Sequence, residues 1–451
     1  MPRIVDLMIE HATILIMDAS LTIIENGMIC VDGDTIVHVG PMPYPADKTI
    51  TDSNVLPEFR ARKTIDAAHG LVLPGLINGH THAAMTLFRG LADDLPLMDW
   101  LNHYIFPVET NMDTEFVFTG ARLACAEMIL SGTTTFCDMY LFENETAKAA
   151  SQSGVRALVG EVLFDFPSPN YGPIEKGFEY TQNLIDAWQG DPLVSIAVEP
   201  HALYTCSPDL LQKANEIAIQ NSVPLAIHVA ETQFELETIQ SRYGKKPFEH
   251  MESLGILGPH IIADHCVYLD DSEIDRIRNH GVRVITNPES NMKLASGVPR
   301  IPDFLERGIV VGLGTDGCAS NNNLDMFSEM DSLSKLHKIH RMDPTVMNAV
   351  AVVKSATIDS ARALGLSDRI GSIENGKKAD IIIVDMNKPH LMPMYNPYSH
   401  LVYAVSGSDV IHSLINGKLV MENRKLLTMD LDDIMTHACL QADRVRKWTA
   451  K

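Results

Sequence analysis

The sequence predicts an α/β protein: a (β/α)8 TIM-type barrel over residues 71–374, flanked by a small β-sandwich domain built from both chain ends. Three observations predict it. Short Val/Ile/Leu-rich runs alternate with longer segments of helical period from residue 71 to about residue 370, the signature of parallel βα units. Both chain ends are instead rich in β-branched runs broken by Asn-Gly and Asp-Gly turn signals. Four of the apolar runs end in a histidine or an aspartate, and barrels carry their chemistry at strand C-terminal ends.

Residues 1–70 contain HATILIMD, TIIENGMICVDGD and TIVHVG, each read as a short strand. Eight candidate barrel strands follow: LVLPGLIN, TTTFCDM, RALVGEV, VSIAVEP, PLAIHVA, HIIADHC, VRVITNP and IVVGLGT. Helical-period segments such as TEFVFTGARLACAEMILSG, SPDLLQKANEIAIQN and DDSEIDRIRNHG separate them. After IGSIENGKKADIIIVD the β character returns, and VIHSLINGKLVMENRKLL reads as a hairpin. Residues 375–436 therefore complete the domain begun by 1–70, and 437–451 read as a terminal helix.

A formal charge of −22 argues against nucleic acid as a partner, since phosphate backbones are met by basic surfaces. It leaves a small nucleoside open. The seven cysteines are scattered, odd in number and never in a CxxC pair, the usage of a reducing compartment. Cys266 and Cys318 read as small fillers beside the proposed site. No apolar run approaches the roughly 20 residues of a membrane span, and the N-terminus lacks a signal-peptide core, so a cytoplasmic protein without membrane partners is expected.

The residues that end the apolar runs carry the chemistry. His80 and His82 close the first barrel strand and, two apart, project to the same side. His228 closes the fifth, His265 the sixth, and Asp316 follows the eighth. Singly, each histidine reads as a satisfied core residue and Asp316 as a helix N-cap. Together, imidazoles and a carboxylate converging on one barrel mouth make a divalent transition-metal site, and a leftover Glu and His can move protons on a metal-activated water. Glu231, three residues beyond His228, reads either as that proton carrier or as a surface carboxylate opening a helix.

PGLINGHTH, HVAET, ADHCVYL and GTDGCASNNNLDMF resemble the amidohydrolase superfamily, and within it the 5′-methylthioadenosine/S-adenosylhomocysteine deaminases. The resemblance covers nearly the whole chain. It implies that His80, His82, His228 and Asp316 hold one Zn²⁺, or another divalent ion such as Fe²⁺ or Ni²⁺. It further implies that Glu231, His265 and Asp316 are catalytic, with Glu231 protonating N1 of an adenine ring while hydroxide attacks C6 and ammonia departs. Superfamily members with two metals usually carry a carboxylated lysine at the fourth strand; here VSIAVEPHALY has none, so a single metal is expected. Family habit suggests dimers or tetramers.

By the same resemblance Glu109 takes ribose hydroxyls and His201 touches the substrate near the ribose. Two adjacent hydroxyls are a natural partner for one carboxylate. Trp100, Leu95 and Leu97 are either an apolar wall for the nucleoside or ordinary packing residues. Members that accept S-adenosylhomocysteine are expected to grip its carboxylate with arginines after the third strand, whereas here Glu161 occupies that region and no arginine occurs from Ala157 to Pro192. The expected order is therefore 5′-methylthioadenosine, adenosine, S-adenosylhomocysteine. The competing readings are an amidohydrolase acting on another ring, such as guanine, cytosine or an s-triazine, and a non-catalytic oligomeric scaffold.

Overall fold

The structure, a computed structural model, describes residues 2–42, 59–95 and 101–449. Its eight parallel strand positions follow the sequence expectation: β1 (Leu76–Thr81), β2 (Thr133–Tyr140), β3 (Arg156–Leu163), β4 (Val194–Ile196, resumed at Glu199–Pro200), β5 (Leu225–Val229), β6 (Ile261–His265), β7 (Arg283–Thr286) and β8 (Val311–Leu313). Every residue of β1, β2 and β3 is buried. Strands covered on both faces need continuous apolar runs, and that is how these segments read in sequence.

The eight positions form two parallel sheets rather than one closed ladder. One runs β4-β3-β2-β1 and the other β5-β6-β7-β8. Isolated parallel bridges Val198↔Leu225 and Ala202↔His228 join β4 to β5. At the opposite seam the Asp316 N–H donates to the His80 carbonyl at 2.9 Å, and Asn78 holds both the Thr315 N–H (2.9 Å) and the Thr315 hydroxyl (2.7 Å).

The expected first barrel strand is split at Gly75. Leu71–Pro74 pairs antiparallel with Ile381–Val384 in the sheet formed by the chain ends, whereas β1 pairs with β2. A Cβ at Gly75 would lie 2.0 Å from the Thr134 hydroxyl, so only glycine lets the chain cross from one sheet to the other.

Strands from both ends make one nine-stranded hydrogen-bonded sheet, where the sequence reading has a sandwich. Arg3–Leu15 threads through it and changes phase midway: Val5, Leu7 and Ile9 are buried, then Ala12 and Ile14. His11, at φ +53°, is the extra residue of a bulge that shifts the register with Ile23–Asp32 between Ile9 and Ala12. A buried ion pair ties this sheet to β3, with Arg156 Nε donating to Asp380 Oδ2 at 2.7 Å and Nη2 to Oδ1 at 3.1 Å.

The terminal helix spans Leu431–Thr449 and so starts six residues before the expected position 437. Its buried residues Ile434, Ala438, Gln441 and Val445 repeat at four, three and four, one stripe of a helix. That stripe faces the helix Thr114–Ser131, where Arg444 pairs with Asp113 at 2.6 Å and Trp448 meets Phe116. No helix among the described residues is long and apolar enough to cross a membrane.

Candidate metal centre

β1, β5, β6 and β8 deliver their terminal side chains to one point. Ligand atoms of His80, His82 and His228 lie within 4.8 Å of one another, as do those of His80, His265 and Asp316. The chain leaves β5, β6 and β8 through left-handed residues, Ala230 (φ +55°), His265 (φ +70°) and Asp316 (φ +61°). Such conformations cost of order 1–3 kcal/mol for residues other than glycine and persist where the surroundings enforce them. Here they turn the side chains inward at the strand ends.

Each imidazole is oriented by what its far nitrogen meets. His82 Nδ1 faces the Met139 carbonyl, and His228 Nδ1 faces the His201 carbonyl at 2.7 Å. A carbonyl can only accept, so both Nδ1 atoms carry the proton and both Nε2 atoms present a lone pair. His80 Nδ1 faces Asp264 Oδ2 at 3.4 Å, a neighbour that suits the same tautomer. The Nε2 atoms of His80 and His228 then stand 3.2 Å apart, lone pair towards lone pair. A cation between them removes that repulsion, and the donor set fits a divalent ion.

Asp316 completes the cage from the other side. Its Oδ1 lies 3.1 Å from His82 Nε2 and 3.6 Å from His80 Nε2. Its Oδ2 accepts from the Ser290 hydroxyl at 2.6 Å and the Ser320 hydroxyl at 3.1 Å, and the Gly317 N–H donates to Oδ1 at 2.8 Å. Burial opposes its charge, but the two imidazoles hold the carboxyl well below the usual range. Burial also pushes His80 down to about 4 and His228 well below its ordinary value, leaving both rings neutral as ligands must be. For His82 burial is outweighed by Asp316, which lifts that ring to about 9: a proton on Nε2 stands in for a cation there, so the buried carboxylate demands a positive partner.

A cavity of about 330 Å³ opens above the cage. His82, His228, His265 and Asp316 form its floor, and Glu231, Glu109 and His201 also line it. Glu231 is lifted by burial, with His265 pulling in the opposite direction, so its acid form persists to higher pH than in water. Its N–H donates to Glu235 Oε2 at 3.1 Å, and Thr232 caps the helix that follows. His265 Nδ1 is paired with Asn291 Oδ1 at 3.0 Å. Glu109 accepts from the Tyr140 hydroxyl at 2.7 Å and is also raised by burial. His201 Nδ1 contacts the Thr205 hydroxyl at 2.9 Å.

Trp100 and Leu97 lie outside the described residues. Leu95 is half-buried and packs against the core cluster under the loop after β1 instead of lining the cavity. Cys266 and Cys318 are buried, with thiols pushed upward by burial, as inert fillers. Sequence alone assigns no individual role to Asp264, Asn291, Tyr140 or the serine pair around Asp316. Asp264 had a visible signal: a carboxylate inside the apolar run IIADH is rarely buried without a partner.

Parallel sheets ending in a histidine and aspartate cage beneath an open cavity define a metal-dependent hydrolase of the amidohydrolase type. A sequence profile of the amidohydrolase family matches residues 71–420, and the chain belongs to that family. It is 55% identical over 430 residues to a protein of Syntrophobacter fumaroxidans named 5-methylthioadenosine/S-adenosylhomocysteine deaminase, covering 95% of this chain and 96% of that one. It is 42% identical over 442 residues to the 5′-deoxyadenosine deaminase of Methanosarcina mazei, covering 98% of each. Within the amidohydrolases it thus falls among the 5′-methylthioadenosine/S-adenosylhomocysteine deaminases, the branch its motifs resemble. Among solved structures, an adenosine deaminase from Xanthomonas campestris with bound zinc superposes with a TM-score of 0.94 at 37% identity, over 99% of this chain and 100% of that one.

Proposed function

We propose that this protein is a metal-dependent hydrolytic deaminase of adenine nucleosides, releasing ammonia and leaving the hypoxanthine base. His80, His82, His228 and Asp316 hold one divalent ion, with Zn²⁺ the first assignment and Fe²⁺ or Ni²⁺ compatible with the same donors. The chemistry supplied by a bound ion is acidification of a coordinated water, to a pKa of about 7. Asp316 and His265 orient the attacking oxygen and accept its proton. Glu231, whose pKa burial raises, donates to N1 as C6 is attacked and then relays a proton to the leaving amine. Glu109, aimed by Tyr140, accepts from the ribose diol, and His201 contacts the sugar side.

The observation that carries this reading is the meeting of three oriented imidazoles and Asp316 at one buried point beneath a cavity that Glu231 also lines. The preferred substrate is 5′-methylthioadenosine, then adenosine, then S-adenosylhomocysteine; among the described residues no Lys or Arg lines the cavity. The two parallel sheets are read as a (β/α)8 barrel that begins after Pro74 and runs to about residue 374, with the residues before Gly75 and from about 375 to 430 as the flanking domain. All seven cysteines are free, which supports a reducing compartment such as the cytoplasm, and association into dimers or tetramers belongs to the same reading.

The test is an absorbance assay for ammonia-releasing conversion of purine nucleosides by the metal-loaded protein. Conversion that is lost in Glu231→Gln while metal is retained supports the proposal. An inert protein with its metal in place refutes it.

A further inference from the structure

We propose that Phe166, stacked on Phe164, is the element that selects the 5′ arm of the nucleoside, accepting a short apolar substituent and rejecting a zwitterionic one. This rests on the deaminase reading above. The two rings lie 3.9 Å apart at 11°, in the loop that leaves β3. Phe164 is 7% exposed and Phe166 is 44% exposed, so the stack runs from the interior to the cavity mouth. With C6 assigned to the cage and the ribose to Glu109, the proposed pose directs the 5′ carbon to that mouth. There it meets a wall of Leu101, Phe106, Phe164, Phe166, Pro167 and Pro169.

An exposed phenylalanine is a selectivity element only if it is held in place, and this loop is pinned on both sides of it. The Asp165 N–H donates to the Thr205 carbonyl at 3.1 Å, and the Asp165 carboxylate accepts from the Ser207 N–H and hydroxyl. Ser168 and Gly172 exchange backbone hydrogen bonds of 2.8 and 2.9 Å. Beneath them Glu161 accepts from the Asn170 side chain and from the Glu143 N–H, both at 2.9 Å. Glu161, fully buried, thus anchors the aromatic wall from the position where a carboxylate-binding arginine was sought.

The charge pattern agrees with the shape. The carboxylates lining the cavity are Glu109, Glu231 and Asp316; Asp316 belongs to the metal cage, and among the described residues no Lys or Arg lines the rest of the cavity. Segment 96–100, PLMDW, contains no Lys or Arg either. An amino-acid end placed here would lose water without gaining a counter-charge, whereas a thioether methyl loses nothing by leaving water.

The test compares kcat/KM for 5′-methylthioadenosine and adenosine in the metal-loaded wild type, Phe166→Ala and Phe166→Leu. Because Phe166 is half exposed, its truncation spares the core. The expected result is that Phe166→Ala lowers the methylthioadenosine-to-adenosine ratio about 10-fold or more, within the range a lost apolar contact gives. Phe166→Leu, which keeps an apolar wall, restores most of it. An unchanged ratio in Phe166→Ala overturns the inference, and so does an equal loss for both nucleosides. A wild type that deaminates neither nucleoside sinks the deaminase reading itself, a result separable from the first two.

Discussion

Asp264 Oδ2 stands 3.4 Å from His80 Nδ1, on the side of the ring opposite the cage. Among the described residues neither Asp264 oxygen makes a hydrogen bond, although the residue is only 1% exposed. A buried carboxylate spent on one imidazole fixes its tautomer and raises its basicity as a ligand. Asp264→Asn should therefore weaken metal affinity about 10–100-fold with little change in secondary structure. Competition against a chelator measures it, and unchanged affinity would show that Asp264 is a packing residue.

Glu231→Gln should lower kcat by about 10²- to 10⁴-fold, the usual worth of a positioned proton donor, with metal content unchanged. The pH profile tests the same residue in the wild type. Burial raises the Glu231 pKa, so an enzyme that starts from the acid form loses kcat/KM as pH rises through that raised value. A profile limited only on the acidic side would assign Glu231 the role of base instead.

The Tyr140 hydroxyl donates to Glu109 Oε1 at 2.7 Å, and Met112 Sδ is 3.7 Å from the hydroxyl oxygen. Tyr140→Phe leaves that carboxylate less well aimed, so KM for adenosine should rise about 3- to 10-fold, the net worth of one ordinary hydrogen bond, with kcat nearly constant. Glu109→Gln should impair turnover of a ribosyl substrate and hardly alter turnover of free adenine. Equal losses on both would place Glu109 in the chemistry rather than on the sugar.

Glu161 offers a prediction about stability. Burial lifts its pKa to about 7 from the ordinary 4.5. Between those values the folded state holds a proton that the unfolded chain has released, so stability falls as pH rises through this window and stays lower above it. Glu161→Gln removes the ionisation, and its melting temperature should drop less than that of the wild type between about pH 5 and about pH 8. An identical pH dependence in both would contradict the assignment.

Much of this architecture was legible because its determinants are local. Apolar runs mark β1 to β8; a period of two puts His80 and His82 on one side, and His228, His265 and Asp316 stand at or just past the ends of their strands. The rest depended on contacts between distant segments. Gly75 reads as part of one strand until Thr134 and Asp380 are seen to divide it between two sheets. The phase change at His11 depends on pairing with a neighbouring strand. Ser290 and Ser320 look like ordinary loop residues; only the fold brings both onto Asp316. Glu161, noticed as an absent arginine, proved to be a loop anchor because Asn170 turns back over it.

The most direct test of the metal-centred mechanism is a titration of chelator-stripped protein with Zn²⁺, following ammonia release from 5′-methylthioadenosine. Activity should be lost on stripping and return in proportion to added metal, reaching a plateau at one ion per chain, and Asp316→Ala should abolish the recovery. Full turnover by the stripped protein, or a plateau that requires two ions, would contradict a single cation held by His80, His82, His228 and Asp316.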